Sequence, residues 1–207
     1  NRVLLQRNKL LKELFFHPEY EETLDVWDMQ LVNYGREVIK FRREFIKQLN
    51  EIIHAIHLSL TGGREDISIS YEPYTREDQM EDILKKNRAQ DMKQKTTLSG
   101  PHRDDISFIV NGIDIRRFGS QGQQRTAALS LKLSELQLVK QLSHDDPILL
   151  LDDVLSELDS SRQNHLLSAI QDIQTMITCT GLDDFVNNRF HIDKIFKVID
   201  GTVENEN

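Results

Sequence analysis

Between Glu21 and Leu60 the chain has no proline and one glycine, Gly35. Over this span an apolar residue recurs every three or four positions: Leu24, Trp27, Leu31, Tyr34, Val38, Phe41, Phe45, Leu49, Ile52, Ile56 and Leu60. That period predicts an amphipathic helix. At about 1.5 Å per residue, about 40 residues make a rod of about 60 Å, longer than a compact domain needs. The chain is therefore expected to hold an arm that projects from a head and packs against a partner helix. Residues 1–16 supply one candidate partner, with Val3, Leu4, Leu10, Leu11, Leu14 and Phe15 at near-helical spacing and His17-Pro18 as the stop. Thr61-Gly62-Gly63 ends the long helix. Ile67 to Tyr71 alternates as a half-buried strand does, and Glu77 to Lys95 predicts a further, polar helix.

Two features of the arm invite functional readings. Arg36, Lys40, Arg42, Arg43 and Lys47 place positive charge along the long helix, with Glu37 and Glu44 among them. A solvated face is the first reading and a phosphate-contacting stripe the second. Trp27 lies on the apolar stripe and reads as core rather than as a base-stacking platform. His54 and His57 lie three apart without a third ligand nearby, and read as surface or core histidines.

Charge and composition narrow the class. With 38% hydrophobic and 29% charged residues, the 207-residue chain reads as a soluble protein of one or two domains. No apolar run approaches the ~18 residues of a membrane span, and no secretory signal is apparent. A lone cysteine, Cys179, excludes an internal disulfide and suits a reducing, cytoplasmic compartment. The formal net charge of −8 argues against nucleic acid at face value. It is uneven, however: residues 1–97 hold 16 basic and 17 acidic residues, and residues 98–207 hold 10 and 17. The chain opens at Asn1 inside a helical pattern, so it is expected to be a fragment.

The chemistry is concentrated in the acidic half. Gly100-Pro101-His102-Arg103-Asp104-Asp105 is a turn rich in ionisable groups, leading into a strand from Ile106 to Val110. Asn111-Gly112 signals a hairpin, returned by Ile113 to Phe118. Exposed local ion pairs and a nucleotide- or partner-facing role for His102 or Arg103 are equally open. Next comes FGSQGQQR (Phe118 to Arg125), a small-residue loop before a helix that is apolar from Ala127 to Val139. Free amides, a hydroxyl and a helix N-terminus make a phosphate cradle, although such a loop often only caps a helix. Ile148 to Leu151 are four consecutive apolar residues, as in a strand buried on both faces, and end on Asp152 and Asp153. Paired carboxylates beyond a strand's carboxyl end suit a hydrated Mg²⁺ and a polarised water, the Walker B pattern, although on these residues alone an ordinary strand followed by a helix N-cap is equally open. Ser156-Glu157-Leu158-Asp159 leads into a helix through Ile170. Gln174 to Thr180 and Phe190 to Asp200 read as further strands, followed by a frayed polar tail.

GSQGQQR resembles the signature loop of ABC-type ATPases, and LLLDDVLSELD resembles their Walker B strand followed by the D-loop. GPHRDDISF, a hairpin and this signature in succession are similar to the RecF family of the ABC/SMC-type ATPases. The specific motifs cover residues 98 to 180. The resemblance implies an α/β fold, with residues 97–207 forming the C-terminal lobe of an ATPase head and residues 1–96 a mainly helical arm inserted in it. It also implies ATP and Mg²⁺ as cofactors, with Asp153 as the catalytic carboxylate, Asp152 on the metal, Ser120, Gln121, Gly122 and Gln123 at a partner's γ-phosphate, and Asp159 coupling two sites. The implied function is slow, DNA-stimulated ATP hydrolysis by a homodimer formed on gapped DNA at single-strand/double-strand junctions. RecR and RecO are the implied partners in loading RecA, with a link to the SOS response.

Several residues depart from the ABC pattern. Gln121 replaces the first signature glycine, Asp153 stands where Glu is usual, and Gly181 follows the strand where a switch histidine is usual. No GxxxxGK[ST] occurs, so the chain is expected to bind ATP poorly alone. A non-catalytic dimerisation and DNA-scaffolding module is the competing expectation. A transport ATPase subunit is disfavoured by the long helical insertion and the GPHRDD turn.

Overall fold

The computed structural model describes residues 1–144, 146–180 and 192–206, the side chains of the last two excepted. It divides into two compact units: residues 1–52 with 67–118, and residues 53–66 with 119–207. This division differs from the expected boundary at residue 97. Residues 97–118 join the arm because β1 (Ile67–Glu72) pairs antiparallel with β2 (Asp105–Val110), Ile67 opposite Val110 and Glu72 opposite Asp105.

In the first unit the predicted helices form as α1 (Arg2–Glu13), α2 (Thr23–Leu60) and α3 (Met80–Gln94). The 38-residue α2 continues into the second unit from residue 53. Leu10 and Leu11 of α1 and Leu14 at its C-cap pack with Leu24, Trp27 and Met92, while Leu31, Val32 and Ile39 pack with Met80 and Leu84. The buried face of α2 is rotated from the one the periodicity selects. Tyr34, Val38 and Phe41 are exposed, and Val32, Ile39 and Ile46 are buried in their place. The helix carries two overlapping apolar faces, and its neighbours decide which is covered. Gly35 marks the close approach to α3: a Cβ there would collide with Met80 Cε.

Arg7, fully buried, is the polar centre of this unit. Its Nε donates to Asp28 Oδ1 at 2.6 Å, and its Nη1 donates to Asp91 Oδ2 and to Thr97 Oγ1 at 2.7 Å each. The arm's other cations are mostly engaged as well. Arg36 donates to the Glu77 carbonyl at 3.1 Å, Arg43 pairs with Glu77, and Arg42 donates to Asp104 at 3.1 Å. Asp104 also accepts from the Tyr71 hydroxyl and, at 2.9 Å, from the Tyr74 amide. Lys40 and Lys47 remain exposed.

The sheet closes through Asn111 and Gly112, both at positive φ as a two-residue hairpin turn requires, into β3 (Ile113–Asp114). Strand ends there. Ile115–Phe118 is a helical turn, α4, rather than the strand continuation expected. Arg116 ties it back by donating to Asp105 Oδ2 at 2.7 Å and to the Ile106 carbonyl at 2.6 Å.

The second unit holds α5 (Gln121–Ser143), β4 (Leu149–Asp152), α6 (Ser160–Ala169) and β5 (Thr175–Thr178). β4 and β5 are parallel, Leu149 opposite Thr175 and Asp152 opposite Thr178. Leu149 and Leu151 join Leu60, Leu129, Leu133, Leu155, Leu166 and Ile170 in one core. Ile148 and Leu150 are exposed, so β4 is buried on one face here and not on two. Up to residue 206 the tail is ordered rather than frayed: β6 (Ile195–Ile199) and β7 (Thr202–Glu206) form an antiparallel hairpin through Asp200 and Gly201, both at positive φ. Phe190 and His191 of the expected strand, and Gly181, lie outside the described residues, as does Asp145. Among the described residues no helix is long and apolar enough to cross a membrane.

His57 is completely buried in this unit, its Nδ1 at 2.8 Å from Ser130 Oγ, whereas His54 is a surface residue beside Asp66. Burial, partly opposed by Glu65, holds the His57 pKa below 6.5. The folded state thus binds fewer protons at this site than the unfolded chain, and its stability is lost as pH falls from 6.5 through the lowered value. The thermal midpoint is expected to drop over that interval and to drop less in His57→Gln. The depressed Asp114 and Asp159 carboxyls titrate only below 3.8, outside the window. In the first unit, Arg7→Met strands Asp91 in the core and is expected to cost about 3–5 kcal/mol in urea unfolding.

Candidate functional site

The loop that resembles a signature begins α5 as a capping box. Ser120 is the N-cap: its Oγ accepts from the Gln123 amide at 3.2 Å, and its own amide donates to Gln123 Oε1 at 3.0 Å. The cap uses the hydroxyl oxygen as acceptor and leaves the hydroxyl proton to donate elsewhere. The first-turn amides of Gln121 and Gly122 have no intrahelical acceptor, and the first turn carries no acidic residue. Ser120 and Gln121 are exposed, Gly122 and Gln123 half-buried. A helix N-terminus with free amides, a donor hydroxyl and no acidic residue in its own first turn attracts an anion such as a phosphate group.

The carboxylate pair lies at the end of β4, and both side chains are exposed. Thr178, directly across the parallel pair, organises them. Its hydroxyl donates to Asp152 Oδ1 at 2.5 Å, and the Asp153 amide lies 3.0 Å from its Oγ1 and 3.1 Å from its carbonyl oxygen. Asp153 sits in the left-handed region, φ 52° and ψ 20°, and its carbonyl accepts from Ser156 Oγ at 2.8 Å. Asp152 keeps its second carboxylate oxygen clear of Thr178. That suits Mg²⁺, which takes one or two protein carboxylates and fills its octahedron with water and phosphate oxygens. Among the described residues no group of three or more His, Cys, Asp or Glu is placed to hold a metal unaided.

Asp159 caps α6, accepting from the Arg162 amide at 3.0 Å and from Arg162 Nη1 at 2.8 Å. The backbone hydrogen bond from Arg162, with smaller help from its charge, holds this carboxyl below the usual range. Between β4 and α6, Val154–Glu157 forms one 3₁₀ turn, pinned where Gln163 Nε2 donates to the Leu155 carbonyl at 2.7 Å.

The residues singled out in the sequence thus fall into two groups within one unit. Asp152 and Asp153 are joined through Thr178. Ser120, Gly122 and Gln123 are joined to Asp159 through Glu65 and Arg162, with Gln123 Nε2 donating to Glu65 Oε1 at 3.4 Å and Arg162 Nη2 lying 3.9 Å from it. No hydrogen bond or ion pair among the described residues runs from either Asp152 or Asp153 to the Ser120 loop. Thr178, Glu65 and Arg162 carry no sequence signal of their own, because their roles depend on pairings distant along the chain. His102 and Arg103 lie in the first unit. His102 Nε2 is 3.0 Å from the Thr97 carbonyl, and Arg103 is exposed.

No protein-family model matches this sequence. Curated relatives do. The DNA replication and repair protein RecF of Agathobacter rectalis is 58% identical over 204 residues, which are 99% of this chain and 56% of that protein. Its namesake from Clostridium perfringens is 42% identical over 209 residues, 99% of this chain and 57% of that protein. Among solved structures, one described as the recombination mediator protein RecF-ATP in the RecFOR pathway superposes with a TM-score of 0.83. It is 32% identical and covers 100% of this chain and 56% of that one. A second, described as RecF-ATPrS, gives 0.82 at 34% identity, covering 99% and 56%. The chain therefore spans a little over half the length of the relatives it matches. Over that span the chain matches RecF proteins in sequence and in fold, with the mixed helix and strand content of an α/β protein.

Proposed function

We propose that this chain is the C-terminal part of a RecF-type recombination mediator, in which the Ser120 loop closes over ATP held by a second copy. The observation that carries the reading is the N-terminus of α5, where the Ser120 hydroxyl proton and the Gln121 and Gly122 amides are uncommitted and the first turn itself carries no acidic residue. Ser120, Gln121, Gly122 and Gln123 face the partner's γ-phosphate, and Asp159 links the two sites. Asp153 orients the attacking water and accepts its proton as the new bond to the γ-phosphorus forms. The bond to the bridging oxygen breaks, and ADP leaves with that electron pair. Asp152, held by Thr178, would carry Mg²⁺, which when bound neutralises charge on the phosphate oxygens.

Gln121, the short reach of Asp153 and Gly181 in place of a switch histidine support a slow, switch-like, DNA-stimulated ATPase, and the lack of a GxxxxGK[ST] sequence supports its need for the intact protein. The family resemblance supports binding at single-strand/double-strand junctions of gapped DNA, cooperation with RecR and RecO, and loading of RecA in the cytoplasm, near the nucleoid. On the arm, Lys40 and Lys47 are the cations best placed for phosphate, since Arg36, Arg42 and Arg43 are already engaged.

Sedimentation velocity of the intact protein tests the reading. Mg²⁺-ATP is expected to shift wild type from monomer to dimer and to leave Ser120→Arg monomeric although it still binds ATP. Dimerisation indifferent to that substitution would reduce the loop to a helix cap. Asp153→Asn is expected to lower kcat about 100-fold while dimers still form; RecA loading at an undiminished rate would favour a scaffolding module over an enzyme.

A further inference from the structure

The two capped helix ends of the second unit share one carboxylate. Glu65 lies in the segment after α2 with its side chain 16% exposed. Its Oε1 accepts from Gln123 Nε2 at 3.4 Å and lies 3.9 Å from Arg162 Nη2, while its Oε2 lies 3.3 Å from Nε2 of the buried His57. Gln123 is the residue that closes the Ser120 cap, and Arg162 is the residue that holds Asp159. The approach between the two ends is close, since a Cβ on Gly122 would lie 3.3 Å from Arg162 Nη1. His57 in turn leans on Ser130, one turn further along α5 than Thr126, whose carbonyl accepts from the Ser130 hydroxyl. Glu65 therefore touches the first turn of α5 directly, and through Arg162 the first turn of α6.

We propose that Glu65 is a positioning residue that couples the Ser120 loop to Asp159, so that the two present themselves to a nucleotide together. This rests on the assignment of both to the nucleotide interface made above. A carboxylate between an amide side chain and a guanidinium orients the amide by a hydrogen bond and the guanidinium by charge, most strongly where water is largely excluded. With its charge removed, Gln123 and Arg162 adopt rotamers independently and the two caps lose their common reference. Glutamine at 65 keeps the shape and removes the charge. A purely space-filling role would leave it as good as glutamate.

The test is ATP-dependent dimerisation of the intact protein, comparing wild type, Ser120→Arg, Glu65→Gln, Arg162→Gln and the double Glu65→Gln/Arg162→Gln. Each single change at 65 or 162 is expected to weaken the dimer about tenfold, with monomer affinity for ATP unchanged. The double variant is expected to be no weaker than the worse single one, as residues acting through one contact behave. Arg162→Lys, which keeps charge but loses the two-pronged geometry, carries the same expectation should Glu65→Gln fail to fold. Wild-type dimerisation in Glu65→Gln, or additive effects in the double variant, overturns the coupling alone. Failure of the wild type to dimerise, or normal dimerisation of Ser120→Arg, overturns the interface reading and the coupling with it.

Discussion

A single guanidinium, that of Arg7, sets the register of the helical arm. Completely buried, it must find partners for its charge inside the protein, and it takes them from three different places: Asp28 on α2, Asp91 on α3 and Thr97 beyond it. Asp28 is shared with Arg88 of α3, whose Nη2 lies 2.6 Å from it. Helices held only by leucines can slide by a turn at modest cost. A buried cation that requires two carboxylates and a hydroxyl allows one arrangement, because any other leaves a charge unpaired. The apolar clusters on either side supply the packing, and the ion network selects among packings. Thr97, held also through Asn8, then fixes where the chain departs toward the turn at Gly100 and the strand beyond it.

Much of this architecture was legible in the sequence because it is local. The helical period predicts α1 and α2, the polar run from Glu77 and the apolar run after the Ser120 loop predict α3 and α5, the alternation Ile67 to Tyr71 predicts β1, and Asn111-Gly112 predicts the hairpin. What was not legible depends on neighbours. Tyr34, Val38 and Phe41 have the right spacing for a core and yet face outward, since α1 and α3 cover the adjacent face of α2. Residues 97–118 looked like the start of the head and join the arm, because the strand partner of Ile106 is Tyr71. The expected strand from Ile113 stops at Asp114, where Arg116 ties the chain back in a helical turn.

The residues of the candidate site divide the same way. Ser120, Asp152, Asp153 and Asp159 stand out in sequence because they sit at element ends, where exposed polar groups are conspicuous. Thr178 and Glu65 do not, because each acts on a residue 26 or 58 positions away. The two readings open for FGSQGQQR, helix cap or phosphate cradle, are also not exclusive. Ser120 caps through its oxygen lone pair, and its hydroxyl proton and the neighbouring amides remain available to an anion.

The backbone at Asp153 bears on why this carboxylate is aspartate. A residue with φ near 50° strains most side chains by about 1–2 kcal/mol, and aspartate and asparagine tolerate it best among those that carry a polar group. Glutamate, the usual occupant in ABC-type ATPases, would gain one methylene of reach and give up that conformational match. Side-chain length and main-chain shape are therefore one variable at this position. The choice of residue here bears on the geometry of the turn between β4 and α6 as well as on the chemistry.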